Sequence, residues 1–211
     1  SMPDPQELYD AILTGNKNKA EEATNAAIEA GEDANELVQK YMIPAMGEVG
    51  RRFECNEYFV PELLIAARAM KTSLEILTPH LMDAGVEPKG RVVIGTVQGD
   101  LHDIGKNLVA SMLEGGGFKV VDLGVDVAPE KFIEAAKEED ETIVALSALL
   151  TTTMTMMKTV VDALEAAGIR QKTKVIIGGA PITQAYADEI GADGYSDNAS
   201  AAVALAQQLV V

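Results

Sequence analysis

The chain has 211 residues, 47% hydrophobic and 24% charged, with a formal net charge of −16. That composition is ordinary for a globular protein of one large domain or two small ones. The negative charge argues against nucleic acid and anionic membranes as partners, and no apolar run approaches the roughly 20 residues of a membrane-spanning helix.

Helix signals dominate the first part of the chain. Leu8, Ala11 and Ile12 fall at i, i+3 and i+4, and Gly15 stops that helix. Lys17 to Ala30 is alanine-rich and ends at Gly31. A third helix is expected from Asp33 into the "VGRRFE" segment, with Leu37, Tyr41 and Met42 on one face and a kink at Pro44 and Gly47. A fourth starts at Pro61 and carries Leu64, Ala67 and Met70 along one side, with Pro79 bending or breaking its last turn. Helices joined by short connections read as a small four-helix bundle over residues 1–88, and Ala84 to Gly90 as a linker.

Residues 89–211 alternate between strand and helix patterns. "RVVIGTV" is a buried strand followed by a helix over Gly105 to Leu113, and "FKVVDLG" is a second strand with a helix from Pro129. "TIVALSA" is the third strand, followed by a helix over Met154 to Ala167. "KVIIGG" is the fourth, followed by a helix from Pro181. A short strand near "ADGYSD" and a helix over Ala201 to Leu209 complete five βα units. The fold class is therefore α/β: a helical bundle, then a five-stranded parallel sheet of flavodoxin or Rossmann type. Such sheets bind ligands outside the carboxyl ends of their strands.

Three segments fall at those ends. Asp100 and His102 follow the first strand, Ser147 and Leu149 close the third, and Gly178-Gly179 ends the fourth. With strand order 2-1-3-4-5 all three meet on one edge of the sheet. His102 is one of only two histidines. A lone loop histidine is usually unremarkable, and His80 keeps that reading near a helix end. The glycine run 115–117 follows a helix, where a phosphate loop would follow a strand, so it reads as a helix stop. "KEEDE", Lys137 to Glu141, is a solvated face, and the methionines of "TTTMTMMK" mostly pack.

Asp100-Leu-His102-Asp-Ile-Gly105, then Ser147-Ala-Leu149 about forty residues on, then Gly178-Gly179, resembles the D-x-H-x-x-G, S-x-L, G-G pattern of the cobalamin-binding corrinoid proteins of methyltransferase systems. The resemblance extends to "VGRRFE" and "EYFVPELLIAARAM", which look like the helical cap ahead of the cobalamin domain in methionine synthase and in small corrinoid methyl carriers. It implies a cap over 1–88 and a cobalamin-binding domain over 89–211. It further implies cobalamin or a related corrinoid, alternating between methylcobalamin and cob(I)alamin and bound base-off, with His102 as the axial metal ligand in place of the cofactor's own base. Asp100 would hold the other ring nitrogen, and Thr153 stands where methionine synthase completes the relay with a serine, keeping a hydroxyl but adding a methyl. Gln98, Gly99, Asp103 and Ile104 fall beside them in the cofactor-binding loop. By the same resemblance Ser147 hydrogen-bonds the nucleotide tail and Thr151 lines its slot. Gly105 gives a tight turn beside the tail, Gly178-Gly179 a close backbone approach to it, and Phe59 and Leu63 shield the upper face of the corrin.

The function implied is methyl carriage on cobalt, not catalysis by the chain alone. The partners would be a donor-specific methyltransferase, a corrinoid-to-pterin or corrinoid-to-thiol methyltransferase, and a reductive activator. A cobalamin-dependent sensor is the alternative, but it would add a DNA-binding helix-turn-helix and a basic surface. The small subunit of an adenosylcobalamin mutase would lack residues 1–88, and a flavodoxin-like domain without corrin would make the three-part match a coincidence. Ser1-Met2 reads as a scar before the native start with no secretory signal after it. The single Cys55, which excludes an internal disulfide and a cysteine-based zinc site, fits a reduced cytoplasmic setting.

Overall fold

A computed structural model describes residues 2–210; Ser1 of the expected scar lies outside them. The described chain divides into two compact units. One comprises the residues up to Pro88 together with Glu114–Gly117, the other Lys89–Leu113 together with the residues from Phe118 onward. No described helix is long and apolar enough to cross a membrane.

The first unit is helical: α1 (Gln6–Leu13), α2 (Lys17–Glu29), α3 (Ala34–Leu37), a π-helical turn (Val38–Met42), α4 (Ile43–Glu54) and α5 (Val60–Asp83). Asn16 and Asp33 cap α2 and α3, their side chains accepting from the amides of Lys19 and Glu36. The expected third helix thus arrives in three pieces. Pro44 has no N–H for the carbonyl four residues back, and the π turn just ahead of it takes up the mismatch. Gly47 sits inside α4. Of the two expectations for Pro79, the break does not occur: α5 runs through it. The proline removes a single ladder donor close to the helix end, and the Ala84 amide still donates to the His80 carbonyl beyond it.

Leu8, Ile12, Leu37, Met42, Leu63, Met70 and Leu77 form the buried core of this unit. On α5 the buried face begins at Leu63 and continues through Ala66, Ala67 and Met70; Leu64, expected on that face, is exposed. One residue along a helix turns a side chain by about 100°, which is the difference between the two leucines. The hydroxyls of Thr24 and Ser73 meet at 2.8 Å inside this apolar setting, so neither is left unsatisfied.

The second unit contains β1 (Arg91–Thr96), α6 (Ile104–Gly115), β2 (Lys119–Asp122), α7 (Pro129–Lys137), β3 (Thr142–Ser147), α8 (Thr151–Met154), α9 (Met156–Ala166), a 3-10 turn (Arg170–Lys172), β4 (Thr173–Gly178), α10 (Gln184–Ile190), β5 (Gly194–Tyr195) and α11 (Ala199–Leu209). The five strands are parallel in the order β2-β1-β3-β4-β5, as the flavodoxin-like reading requires. The helix expected from Pro181 starts at Gln184 because the Thr183 side chain caps it. The helix expected over Met154 to Ala167 is divided at Thr155 into α8 and α9.

Alternation along the strands builds two cores. Val93, Val144, Leu146, Val175 and Ile177 pack with Phe132 of α7 and Met157, Val160 and Leu164 of α9 on one face. Val92, Ile94, Ile143, Ala145 and Ile176 pack with Leu113 of α6 and Ala206 of α11 on the other. A sheet covered on both faces reads as continuous apolar runs, which is how these strands appear in the sequence.

Register then sets the functional edge. Thr96 pairs with Ser147, and Ser147 pairs with Gly178, so the last residues of β1, β3 and β4 lie in one row. The backbones just beyond that row are tightly apposed. Gly179 has a φ of +132°, and a Cβ there would collide with the Ala148 carbonyl oxygen; a Cβ on Gly178 would lie 3.2 Å from the Ser196 carbonyl oxygen. The sequence assigned these glycines to the close approach of a ligand, whereas the fold needs Gly179 for its own backbone. Gly179→Val should therefore lower the folding stability of the cofactor-free protein by roughly 2–4 kcal/mol. An unchanged urea midpoint would refute this.

Candidate functional site

The site is built where β1 ends. The strand is apolar except at its termini, and its last residue, Thr96, is fully buried. Its hydroxyl donates to the His102 carbonyl at 2.8 Å and so closes the loop between them. Inside this loop Asp100 has 0% exposure, while the side chain of His102 is 51% exposed.

Every donor that Asp100 needs is supplied. Its Oδ1 accepts the His102 amide at 3.1 Å and lies 2.9 Å from His102 Nδ1. Its Oδ2 accepts the Leu149 amide at 2.8 Å and the Thr153 hydroxyl at 2.7 Å. Burial opposes ionisation of this carboxyl, but the bonds from Thr153, Leu149 and His102 outweigh it and hold its pKa well below the usual carboxylate range. An ionised Asp100 only accepts, so the proton between it and the imidazole sits on Nδ1. The other ring nitrogen, Nε2, has no hydrogen-bond partner among the described residues.

The sequence-predicted residues thus sort into groups. Asp100, His102, Thr153 and the backbone of Leu149 form one hydrogen-bonded set. Ser147 and Gly178 sit beside it in the row at the sheet edge, Ser147 accepting the Val97 amide through its carbonyl at 3.0 Å. Gln98, Gly99, Asp103, Gly105, Thr151 and Gly179 are exposed around the rim. Gly105 belongs to the first turn of α6 rather than to a tight loop, and a Cβ on it would meet nothing within 4 Å. Large apolar side chains stand open to solvent here: Leu101 at 71%, Ile104 at 80%, and Leu149 and Leu150 at 42% each.

Phe59 and Leu63 lie in the helical unit. Phe59 is exposed, but Leu63 is fully buried in that unit's core, so it has no free surface with which to face a ligand. The expectation for Leu63 is corrected: its spacing from Ala67 and Met70 turns it inward.

Three residues of this region escaped the sequence reading. Thr96 could have been found as the one hydroxyl near the end of an apolar strand. Lys106, in the first turn of α6, is buried and binds Asp122 at the end of β2 at 2.7 and 2.8 Å, where the positive end of the helix would otherwise disfavour a cation. Asp126 reaches the loop from the turn after β2 and bonds Gly99 at 2.7 Å. Nothing in the local sequence announces either pairing.

The B12 binding domain family matches residues 90–204, and a second B12 binding domain family matches residues 6–78. The dimethylamine corrinoid protein 2 of Methanosarcina acetivorans is 45% identical over 208 residues, which are 98% of this chain and 95% of that protein. The crystal structure of a cobalamin-binding protein from Desulfitobacterium hafniense DCB-2 superposes with a TM-score of 0.81 at 36% identity, covering 99% of this chain and 98% of the other. A chain of the methanol:cobalamin methyltransferase complex MtaBC from Methanosarcina barkeri gives a TM-score of 0.86 at 34% identity, covering 97% and 78%.

The buried carboxylate makes a prediction about acid stability. Asp100→Asn turns an acceptor into a group whose NH2 faces donors, and should cost about 2–3 kcal/mol at pH 7. The folded pKa of Asp100 is depressed, so the advantage of the carboxylate is full above its unfolded pKa of about 3.9 and is lost as pH falls towards the folded value. In urea unfolding the gap between wild type and Asp100→Asn should be equal at pH 7 and pH 5 and smaller at pH 3. A gap that does not change with pH would contradict the assignment.

Proposed function

Because this chain belongs to the B12 binding domain family, we propose that it binds one corrinoid, cobalamin or a close relative, and carries methyl groups between two methyltransferases. The observation that carries this is His102: half exposed, with Nδ1 held by a buried carboxylate and Nε2 unpartnered. An imidazole so held offers one nitrogen, in one tautomer, to a metal. One imidazole is a single ligand, so the metal that suits it brings its remaining ligands along, as a corrin does. The exposed Leu101, Ile104, Leu149 and Leu150 and the open space at Gly105 fit a large, flat, largely apolar group better than a small polar one.

When bound, the corrinoid supplies a cobalt atom that takes a methyl group from one enzyme and gives it up to another. The chain's residues serve that exchange. His102, with Nδ1 held and Nε2 free, would be the residue that holds the corrinoid's cobalt. Asp100 fixes the tautomer and orientation of the ring by holding the Nδ1 proton. Thr153 donates to Asp100 and keeps its charge tolerable in a buried place. Ser147, Thr151 and the Gly178-Gly179 turn serve the nucleotide tail. Residues 89–211 form the corrinoid-binding domain and residues 1–88 a separate helical cap domain.

Relatives named for dimethylamine support a methylated amine as the donor class; in this reading the second enzyme methylates a pterin or a thiol. The solved methyltransferase complex that contains a similar chain supports docking to such enzymes. A reductive activator is the third partner. We place the protein in the cytoplasm, where the exposed Cys55 thiol stays reduced.

Purified protein should take up one equivalent of hydroxocobalamin. After reduction to the cob(II) form, its EPR signal should show a nitrogen superhyperfine pattern that changes when histidine is ¹⁵N-labelled and disappears in His102→Ala. A pattern indifferent to the label would remove His102 as the ligand. Loaded, reduced protein mixed with mono-, di- or trimethylamine should consume none of them, since an amine is a poor methyl donor until a partner enzyme activates it. Amine demethylation at a catalytic rate with no second polypeptide present would make this chain an enzyme and overturn the carrier role.

A further inference from the structure

Among the described residues only Asn56 and Asp126 combine a side chain with a positive φ, and Asp126 has φ +51°. Left-handed backbone is uncommon for any residue but glycine. Asp126 lies in the turn between β2 and α7, a place where glycine would meet the backbone requirement without strain; Gly124, two residues earlier, does so at φ +90°. An aspartate kept in such a conformation points to work for its side chain.

That work is visible in the hydrogen bonds. The carboxylate Oδ1 of Asp126 accepts the Gly99 amide at 2.7 Å, and the Asp126 amide donates to the Asp100 carbonyl at 2.9 Å. Gly99 is itself left-handed, at φ +86°. The pair Gly99-Asp100 is therefore gripped at both ends by one residue of another loop. Neighbouring bonds hold the two loops in step: the Thr96 amide donates to the Gly124 carbonyl at 2.9 Å and the Val127 amide to the Thr96 carbonyl at 3.0 Å. The Asp100 amide is held too, donating to the Val97 carbonyl at 3.1 Å. With its amide, its carbonyl and the preceding residue all fixed, the Cα–Cβ bond of Asp100 has a set direction, from which the carboxylate reaches His102, Leu149 and Thr153.

We propose that Asp126 is a positioning residue for the metal ligand: by clamping Gly99-Asp100 it fixes where Asp100 presents Oδ1 to His102 Nδ1, and so makes His102 ready to bind. Resting on the corrinoid function proposed above, this adds a residue outside the D-x-H-x-x-G segment, acting through Asp100 without touching the cofactor. A merely turn-shaping residue would be replaceable by glycine without loss, which gives the test its contrast.

Asp126→Gly keeps the left-handed backbone and removes the acceptor, whereas Asp126→Asn keeps both. In the cofactor-free protein, amide hydrogen exchange at Gly99 should be faster in Asp126→Gly and near wild type in Asp126→Asn, with thermal unfolding of both close to wild type. Hydroxocobalamin titrated into Asp126→Gly should bind roughly tenfold more weakly, in line with the loss seen when the residue behind a metal-ligating histidine is changed. The EPR of its cob(II) form should contain a smaller nitrogen-ligated fraction, and Asp126→Asn should restore both. Wild-type affinity and wild-type nitrogen splitting in Asp126→Gly would overturn the proposal, as would an Asp126→Asn variant as defective as Asp126→Gly. If wild-type protein binds no hydroxocobalamin, the corrinoid function falls. Exchange at Gly99 then decides the clamp alone, and an unchanged rate in Asp126→Gly overturns it.

Discussion

A carboxylate sealed from water must be given donors or it will not stay charged, and Asp100 is so sealed. Among the described residues no lysine or arginine pairs with it. Its charge is stabilised by the His102 ring and amide on one oxygen and by the Leu149 amide and Thr153 hydroxyl on the other. Those donors come from the loop after β1 and from the segment that follows β3, so satisfying one side chain fixes two separate stretches of chain against each other. The orientation of His102 follows from this. A half-exposed ring on a loop would rotate freely, and the bond from Nδ1 to a rigid acceptor leaves Nε2 as its free end.

The sheet explains why such a group exists at one edge and not elsewhere. Both faces of β1, β3 and β4 are covered by helices, and their interiors are filled with valine, isoleucine, leucine and alanine. Polar chemistry is affordable only where the strands stop. Parallel strands stop on the same side, and the pairing of Thr96 with Ser147 and of Ser147 with Gly178 brings those ends level. Buried Arg91 at the opposite end of β1 shows the complementary use of a polar group. It donates to the Ala135 carbonyl at 2.8 Å and to Thr142 at 3.1 Å, tying the end of α7 to the sheet.

Four residues at the same edge, Gly99, Gly124, Asp126 and Gly179, have positive φ. For Asp126, the one non-glycine among them, such a conformation persists because the bonds to Gly99 and Asp100 over-determine it. The hydrogen-bonded set around Asp100 is complete without any ligand, so ligand binding need not spend energy organising it.

The sequence by itself determined the class of the fold and singled out Asp100 and His102 beyond the first strand. Apolar runs separated by helix-period segments can only be a covered parallel sheet, and the spacing of Asp100-His102, Ser147-Leu149 and Gly178-Gly179 matches strand ends because each βα unit has a nearly fixed length. Helix interiors were legible for the same reason, since their periodicity is local. Tertiary structure decided what local pattern leaves open. Leu63 and Leu64 are equally apolar, and only packing turned Leu63 inward. Pro79 was expected to bend or break the last turn of its helix, and the neighbouring bonds carry α5 through it unbroken. Gly179 answers to the fold as well as to any ligand, because the Ala148 carbonyl leaves no room for a side chain there. The bond from Thr153 to Asp100 spans 53 residues and that from Asp126 to Gly99 spans 27. Contacts of that separation depend on strand order and loop path, which no window of sequence contains.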